Sequence, residues 1–248
     1  MKKVLILQMR PEDVAADSEF EAFLRVGAIP ETNVERIRVE RHTETRIDLN
    51  QYCAIIAGGS PFDVSKEEQL KDRVQKGVED FFHHLFDQVI ESDFPFLGAC
   101  SGNGLLGQYC GTPISQKYSE DIGSTMVTMT EEGRKDPLLK GLPDQFEAMV
   151  GHKEACDKVP TGATLLLSSA QCPVQMFRIK ENIYATQFHP EADAHEFIIR
   201  VKTYMYSGYF APERAGELIG EIQKINTPEP KKILQRFIAR YGNFSSGL

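Results

Sequence analysis

Apolar runs separated by polar and glycine-containing turns predict alternating strands and helices along this chain. Residues 4–9 form an apolar run without clear alternation, which is typical of a strand buried on both faces. Residues 33–40 alternate apolar and polar positions and predict a second strand. Residues 54–57 predict a third strand, which ends at Gly58-Gly59.

Helical spacing of apolar positions appears in several longer segments. Residues 18–27 predict a helix that ends on a glycine, and residues 66–91 predict a long amphipathic helix. Residues 195–206 predict another helix. Residues 215–225 and 231–241 predict two more, divided by prolines. We take residues 1–208 as one domain and residues 209–248 as a helical C-terminal extension packed on it, because about 40 residues seldom support an independent core.

The order of these elements indicates the fold class. Residues 123–150 look rich in strands, and residues 165–167, 174–179 and 183–188 predict further strands, the last two joined as a hairpin. Strands that alternate with helices predict an α/β fold with a central, mostly parallel sheet covered by helices. Ligands bind such sheets outside the carboxyl ends of the strands, where the Gly58-Gly59 turn would lie.

The segment 94–104 carries the strongest chemical signal. Gly98 precedes Cys100, and Gly102 and Gly104 follow it. This pattern is typical of a strand that delivers a nucleophile on a tight turn into a helix, because a Cβ at position 98 or 102 would crowd the turn. Backbone N–H groups at a helix N-terminus favour the thiolate, which would lower the thiol pKa, and they can hold an oxyanion. The alternative is a buried packing cysteine, which the glycine setting disfavours.

Composition narrows the function classes. A net charge of −8 argues against a broad nucleic-acid or anionic-membrane surface. Five cysteines without a C-x-x-C motif indicate neither a disulfide framework nor a zinc site, and they suit a reducing cytoplasm. No apolar stretch approaches the roughly 20 residues of a membrane helix. We therefore expect a soluble cytoplasmic protein.

A cysteine nucleophile needs a base, and the base needs an orienting partner. Of the six histidines, His189 stands out because it follows the predicted strand 183–188 and precedes Pro190-Glu191. On an extended chain residues i and i+2 point to the same side, so Glu191 can select the imidazole tautomer and stabilise imidazolium. An isolated His-x-Glu is usually a surface pair. Here His189 follows a predicted buried strand, and this position favours a role in catalysis.

These motifs together resemble a class I (triad) glutamine amidotransferase domain, most closely the glutaminase domain of GMP synthetase. The resemblance covers about residues 4 to 200 in the family's order. The segments that carry it are Gly58-Gly59, Gly98-x-Cys100-x-Gly102, Phe188-His-Pro-Glu191, Gly151-His-Lys-Glu154, Val159-Pro-x-Gly162 and Ser168-Ser169.

The resemblance implies a flavodoxin-like three-layer α/β sandwich and a thioester mechanism. It implies Cys100 as the nucleophile, His189 as the general base and acid, and Glu191 as its orienter. It also implies an oxyanion hole formed by the Ser101 and Gly59 amides. Glutamine or another γ-glutamyl compound would be the substrate, and a separate synthase chain is a candidate partner. No metal or organic cofactor is required, and a homo-oligomer stays open.

The remaining expectations concern the substrate. The resemblance places Gly58, Gly104 and His152 near it, although His152 has an equally good interpretation as a satisfied loop histidine. Gly104 stands where the family usually has a glutamine that seats the amino-acid end of the substrate, so the usual substrate is in question. A synthetase phosphate loop of the type Ser-Gly-Gly-x-Asp-Ser is not found in the sequence, so we do not expect a complete synthetase.

Three functions stay open at this point. The first is an amidotransferase subunit that passes ammonia to a separate synthase. The second is a stand-alone γ-glutamyl amide or peptide hydrolase. The third is a non-catalytic binding protein that keeps the fold, which an intact set of Cys100, His189 and Glu191 disfavours.

Overall fold

A computed structural model describes residues 2–242, and the statements below refer to this part of the chain. The strands are β1 (Lys3–Gln8), β2 (Val34–Arg38), β3 (Tyr52–Ala57), β4 (Phe96–Ala99), β5 (Ile114–Ser115), β6 (Glu120–Met129), β7 (Gln145–His152), β8 (Ala155–Cys156), β9 (Ala163–Ser168), β10 (Met176–Ile179) and β11 (Ile183–Thr186). The α-helices are α1 (Asp13–Gly27), α2 (Arg73–Ser92), α3 (Ser101–Tyr109), α4 (Glu131–Lys135), α5 (Ala194–Thr203), α6 (Ala215–Ile222) and α7 (Pro228–Tyr241).

Nine strands form one mixed sheet in the order β2-β1-β3-β4-β11-β10-β9-β6-β7. The ladders from β2 to β11 are parallel, and those from β11 to β7 are antiparallel. Strands β5 and β8 form a separate antiparallel pair. The predicted hairpin is confirmed, since Ile179 pairs with Ile183 across β10 and β11. Because β1, β3, β4 and β11 are parallel, their carboxyl ends lie at the same edge of the sheet.

Helices cover both faces of the sheet, as the predicted three-layer α/β fold requires. Alternate residues of β1 separate into two cores, because successive side chains of a strand point to opposite faces. Val4 and Ile6 join a core with α1 and α7, whereas Leu5 and Leu7 join a core with α2 and α3. The flavodoxin-like sandwich is confirmed.

Helix boundaries differ from the predictions where capping residues decide them. The long helix begins at Arg73 rather than at residue 66, because the Asp72 side chain accepts a hydrogen bond from Gln75 N at 2.8 Å and caps the helix there. Helix α7 begins at Pro228, since proline suits the first turn of a helix. Helix α1 begins at Asp13, before the predicted residue 18.

The predicted C-terminal extension is helical over residues 215–222 and 228–241, and residues 243–248 lie outside the described part. Helix α7 contributes Ile233, Leu234 and Phe237 to the core that contains Val4. Helix α6 packs with Met149 and Phe197 in a smaller third core. None of the helices in residues 2–242 combines the length and apolar composition needed to cross a bilayer.

Candidate active site

Cys100 lies between β4 and α3 in a backbone conformation that side chains rarely adopt. Its φ of 53° and ψ of −102° place it in a strained turn, as expected for a nucleophile elbow. Its N–H donates to Thr186 O at 2.8 Å, which fixes the elbow to the end of the neighbouring strand β11. Cys100 is partly exposed, so the alternative of a sealed packing cysteine is wrong.

The glycines around Cys100 are required by close backbone contacts. A Cβ on Gly98 would lie 2.8 Å from the carbonyl carbon and oxygen of Gly102. A Cβ on Gly102 would lie 3.2 Å from Ala57 O, which is tighter than normal packing. The prediction that a side chain at either position would crowd the turn is confirmed.

The pKa of the Cys100 thiol does not follow the expectation. Burial raises it to about 11, while the positive charges of Arg10 and Arg200 oppose the rise. The predicted lowering of the thiol pKa is therefore wrong for the free site, because desolvation of a thiolate outweighs its charged neighbours.

His189 and Glu191 form the expected pair. His189 Nδ1 lies 2.8 Å from Glu191 Oε1, and both side chains are almost fully buried. His189 follows β11, and its N–H donates to Met149 O at 3.1 Å. Because Nδ1 is engaged by the carboxylate, the other ring nitrogen, Nε2, is the one left for acid-base chemistry.

A cluster of buried charges extends behind this pair. Arg200 Nη2 donates to Glu191 Oε1 at 2.8 Å and lies 3.6 Å from Glu19 Oε2. Arg10 Nε donates to the same Glu19 oxygen at 2.7 Å. Two guanidinium groups therefore alternate with two carboxylates, so that the buried charges offset one another.

This cluster determines the pKa values of the base and its partner. Burial, together with the positive charge of Arg200, lowers the pKa of His189 to about 4, although Glu191 opposes this. Burial alone would raise the pKa of Glu191, but His189 and Arg200 reverse the direction and hold it well below its usual range. At neutral pH the free site thus holds a neutral imidazole beside an ionised Glu191.

The Gly58-Gly59 turn lies beneath the same charged cluster. A Cβ on Gly58 would collide with the Glu19 carboxylate, and a Cβ on Gly59 would lie 2.6 Å from Arg10 Nη2 and 3.1 Å from His189 Cε1. The Gly59 N–H donates to Glu19 Oε2 at 3.3 Å. The amide that the resemblance assigns to the oxyanion hole is therefore already engaged by a side chain.

Cys100, Ser101 and His189 line the same pocket. Gly104 and His152 also line it, but Gly58, Gly59 and Glu191 do not. Phe197 packs edge-on against His189, with ring centroids 5.5 Å apart. The rest of the lining includes charged and aromatic side chains from distant segments: Arg10, Asp63, Lys153, Glu154, Arg200, Tyr204 and Tyr209.

His152 combines both interpretations that the sequence left open. It lines the pocket, yet it is buried, and both ring nitrogens are engaged, Nε2 with Glu120 Oε2 at 2.9 Å and Nδ1 with Glu154 O at 3.0 Å. Glu120, His152 and Cys172 have the spacing of a metal-ligand set. Glu120 Oε2 is engaged by His152 Nε2 and by Gln175 Nε2 at 2.6 Å, whereas Glu120 Oε1 is buried without a hydrogen-bond partner in the described residues.

Gly104 leaves space at the pocket wall. A Cβ built there would meet only Val64 Cγ2, at 3.8 Å. Position 104 can therefore hold a larger side chain. Because glycine has no side chain, the pocket is wider beside Cys100.

Sequence reasoning missed Arg10, Glu19 and Arg200. Arg10 follows β1 at the carboxyl edge of the sheet, where ligands bind in such folds, so a polar residue after this buried strand could be predicted to face a ligand. Glu19 shares the buried face of α1 with Ala15, Ala16 and Phe23, and a lone carboxylate on an apolar face is a detectable signal. Arg200 lies similarly beside Phe197 and Val201 on α5.

The fold agrees with the comparisons to known proteins. Residues 17–201 match the family model of the class I glutamine amidotransferases, which is more than half of the chain. The chain belongs to the class I glutamine amidotransferase family.

Two sequence relatives and one solved structure show what else this chain is similar to. The chain is 28% identical over 147 residues to a subunit of the glutamine-hydrolyzing GMP synthase of Methanocaldococcus jannaschii, a match that covers 58% of this chain and 77% of that protein. It is 31% identical over 152 residues to the glutamine-hydrolyzing GMP synthase of Caldicellulosiruptor saccharolyticus, covering 59% of this chain but only 29% of that longer enzyme. A glutamine amidotransferase structure from Thermotoga maritima superposes with a TM-score of 0.73 at 19% identity, covering 98% of this chain and 100% of that chain.

Proposed function

We propose that this protein is an amidotransferase that cleaves a γ-glutamyl-type amide through Cys100, His189 and Glu191 and a thioester intermediate. The observation that carries the proposal is the strained Cys100 elbow in the same pocket as His189, whose Nδ1 is held by Glu191 at 2.8 Å. Family membership supports the reaction class.

The geometry supports a sequence of proton transfers between Cys100, His189 and the substrate. Because the free site holds a thiol and a neutral imidazole, the Cys100 proton passes to His189 Nε2 as the sulfur attacks the amide carbonyl carbon. The carbonyl π electrons move to oxygen and form an oxyanion. Collapse of this intermediate breaks the C–N bond, and the leaving nitrogen takes the proton from His189. Water then attacks the thioester with His189 as the base, which restores the thiol.

Glu191 and Ser101 have supporting roles in this scheme. Glu191 stabilises the transient imidazolium, since its carboxylate stays ionised beside His189 and Arg200. The Ser101 N–H lies in the first turn of α3, where amides have no intrahelical partner, and it can donate to the oxyanion.

The relatives favour glutamine as substrate and a synthase as partner. Both GMP synthase relatives are named as glutamine-hydrolyzing, and the archaeal one is named as one subunit of its enzyme. We therefore propose that the chain releases ammonia for a separate synthase chain. We place it in the cytoplasm because all five cysteines are free, which suits a reducing compartment.

A stand-alone γ-glutamyl amide or peptide hydrolase is the second candidate. The space at Gly104 favours it, because the position that seats the amino-acid end of the usual substrate is open here, so the site is less closely fitted to free glutamine. Comparing kcat/KM for glutamine with that for γ-glutamyl peptides separates the two candidates. Gly104→Gln should raise kcat/KM for glutamine relative to the peptides if the open position is what disfavours the amino-acid end of glutamine.

The reaction itself is tested with a γ-glutamyl chloromethyl ketone. We expect mass mapping to find one adduct, at Cys100, in the wild-type chain and none in Cys100→Ala. Ammonia release from glutamine by the isolated chain would show a glutaminase that needs no partner. Absence of any Cys100 adduct over a range of pH would instead favour a non-catalytic binding protein.

A further inference from the structure

We propose that Arg10 is a catalytic residue whose guanidinium Nη2 donates to the substrate oxyanion, in the place that the family resemblance gives to the Gly59 amide. This inference rests on the proposed function, because it assigns a donor to acyl transfer at Cys100. It concerns a side chain that neither the motifs nor the family match single out.

The backbone donors at the glycine turn are already occupied. Gly59 N–H donates to Glu19 Oε2 at 3.3 Å, and the next amide, Ser60 N–H, donates to Ser101 Oγ at 2.8 Å. Reorienting either amide toward a substrate would leave a buried carboxylate or hydroxyl with one donor fewer. The pocket therefore needs another donor on this side of Cys100.

Arg10 provides a donor at this place. Its Nη2 and His189 Cε1 both lie against the open face of Gly59, 2.6 Å and 3.1 Å from where a Cβ would be. The Arg10 side chain lines the pocket together with Cys100, although only 5% of it is exposed. Among residues 2–242, Nε bonds to Glu19 and Nη1 to Tyr204 Oη at 3.4 Å, while no hydrogen bond involves Nη2.

Glu19 holds the guanidinium in this orientation before substrate arrives. It is fully buried and receives Arg10 Nε at 2.7 Å and Gln8 Nε2 at 3.1 Å. A donor fixed in advance in a water-poor site stabilises developing negative charge without reorganisation during the reaction. Arg10 also opposes the rise in the pKa of Cys100, which is consistent with a positive charge close to the sulfur.

The assigned step changes no bond of the arginine. As the Cys100 sulfur forms its bond to the carbonyl carbon, the π electron pair moves to oxygen, and Arg10 Nη2–H and Ser101 N–H donate to that oxygen. Collapse returns the pair to the carbonyl and expels the amine with the proton from His189. Arg10 keeps its proton throughout, since a guanidinium is not deprotonated at this pH.

The test compares two reactions of the same sulfur. Acylation by γ-glutamyl p-nitroanilide passes through a tetrahedral oxyanion and releases p-nitroaniline, whereas iodoacetamide reacts by direct displacement at carbon and forms none. Arg10→Lys keeps the charge beside Glu19 but removes the second arm of the fork. Arg10→Gln/Glu19→Gln removes both charges together, so no lone charge is left buried. Arg73→Gln, at an exposed position, is the matched control.

We expect the limiting rate of acylation by the p-nitroanilide to fall about 10²- to 10³-fold in both variants, as for loss of one oxyanion donor. The half-saturating concentration should stay within about threefold, and dividing by the iodoacetamide rate cancels any change in thiolate fraction. Thermal melting of both variants checks the fold.

Two results would overturn the assignment. Equal slowing of both reagents would mean that Arg10 acts only on the thiol. A raised half-saturating concentration with an unchanged limiting rate would mean that it binds the ground state. If the wild-type chain forms no chloroketone adduct at Cys100, the proposed function itself fails, and this is distinct from a failure confined to the Arg10 variants.

Discussion

The two sides of the pocket are held in place by different physical means. On the nucleophile side, residues 98–102, backbone atoms pack so closely that glycine is required on both sides of Cys100. On the base side, His189 is held by a chain of buried charges contributed by Glu191, Arg200, Glu19 and Arg10. The first side depends on local sterics, and the second depends on segments that are distant in sequence.

This difference implies different sensitivities to mutation. Overpacking a turn typically costs about 1–3 kcal/mol of folding free energy. Removing one partner of a buried ion pair costs about 3–5 kcal/mol, because the remaining charge is left uncompensated. A single substitution on the base side should therefore cost more stability than an added methyl on the nucleophile side, and a paired substitution that removes both charges should cost less than the single one.

The largest effect is expected from a substitution that removes the nucleophile itself. Cys100→Ala should lower hydrolysis of γ-glutamyl p-nitroanilide by at least about 10⁴-fold, because no other group forms the thioester. Cys110→Ala changes a partly exposed cysteine outside the pocket and should keep wild-type turnover. Residual activity within tenfold of wild type in Cys100→Ala would contradict the assignment of the nucleophile.

Glu191→Gln tests the base side. We expect kcat to fall about 10²- to 10⁴-fold, since the amide no longer selects the imidazole tautomer or stabilises imidazolium. The loss should be smaller than that of Cys100→Ala, because the sulfur and the imidazole remain. Glu181→Gln, an exposed position in the β10–β11 hairpin, is the control. Equal kcat in the two variants would show that Glu191 has no part in turnover.

Gly98→Ala tests the nucleophile side without changing a side chain that takes part in the reaction. The new methyl would lie 2.8 Å from the Gly102 backbone, so unfolding free energy should fall by about 1–3 kcal/mol and turnover should fall with it. Gly216→Ala adds a methyl that meets nothing within 4 Å on helix α6 and should stabilise by about 0.5–1 kcal/mol. Denaturant unfolding measures both. Similar stability in the two variants would contradict the steric account.

The pH dependence of alkylation compares the two sides directly. With the pKa of Cys100 raised to about 11, the thiolate fraction should rise about tenfold per pH unit from pH 6 to 9, without a plateau. With the pKa of His189 lowered to about 4, the base should stay neutral over this range and become protonated only near pH 4. The rate of iodoacetamide labelling at Cys100, mapped by mass at each pH, measures the thiolate fraction. A plateau near pH 6 would instead indicate a preformed thiolate–imidazolium pair.

The nucleophile side could be predicted from sequence because its determinants are adjacent. The elbow, the need for Gly98 and Gly102, and the strand before Cys100 all follow from residues 94–104. The pairing of His189 with Glu191 could also be predicted, since residues two apart on an extended chain point to the same side. The parallel ladders then follow from strands that alternate with helices.

The base side could not be predicted because its partners meet only after folding. Arg10, Glu19 and Arg200 lie on three separate elements, and neither spacing nor composition shows that they converge on His189. The raised pKa of Cys100 was missed for the same reason, since burial is a property of the assembled pocket. The start of α2 was missed because the cap at Asp72 outweighs the apolar spacing that precedes it.

The position of α7 has a consequence for how the protein is made. Phe237 and Ile233 complete a core that begins with Val4 and Ile6, so the nascent chain cannot close this core until α7 has emerged from the ribosome. Until then the apolar faces of β1 and α1 are uncovered, which exposes the growing polypeptide to aggregation and to chaperones. Cotranslational folding should therefore be completed late for this core, although the Cys100 elbow is synthesised much earlier.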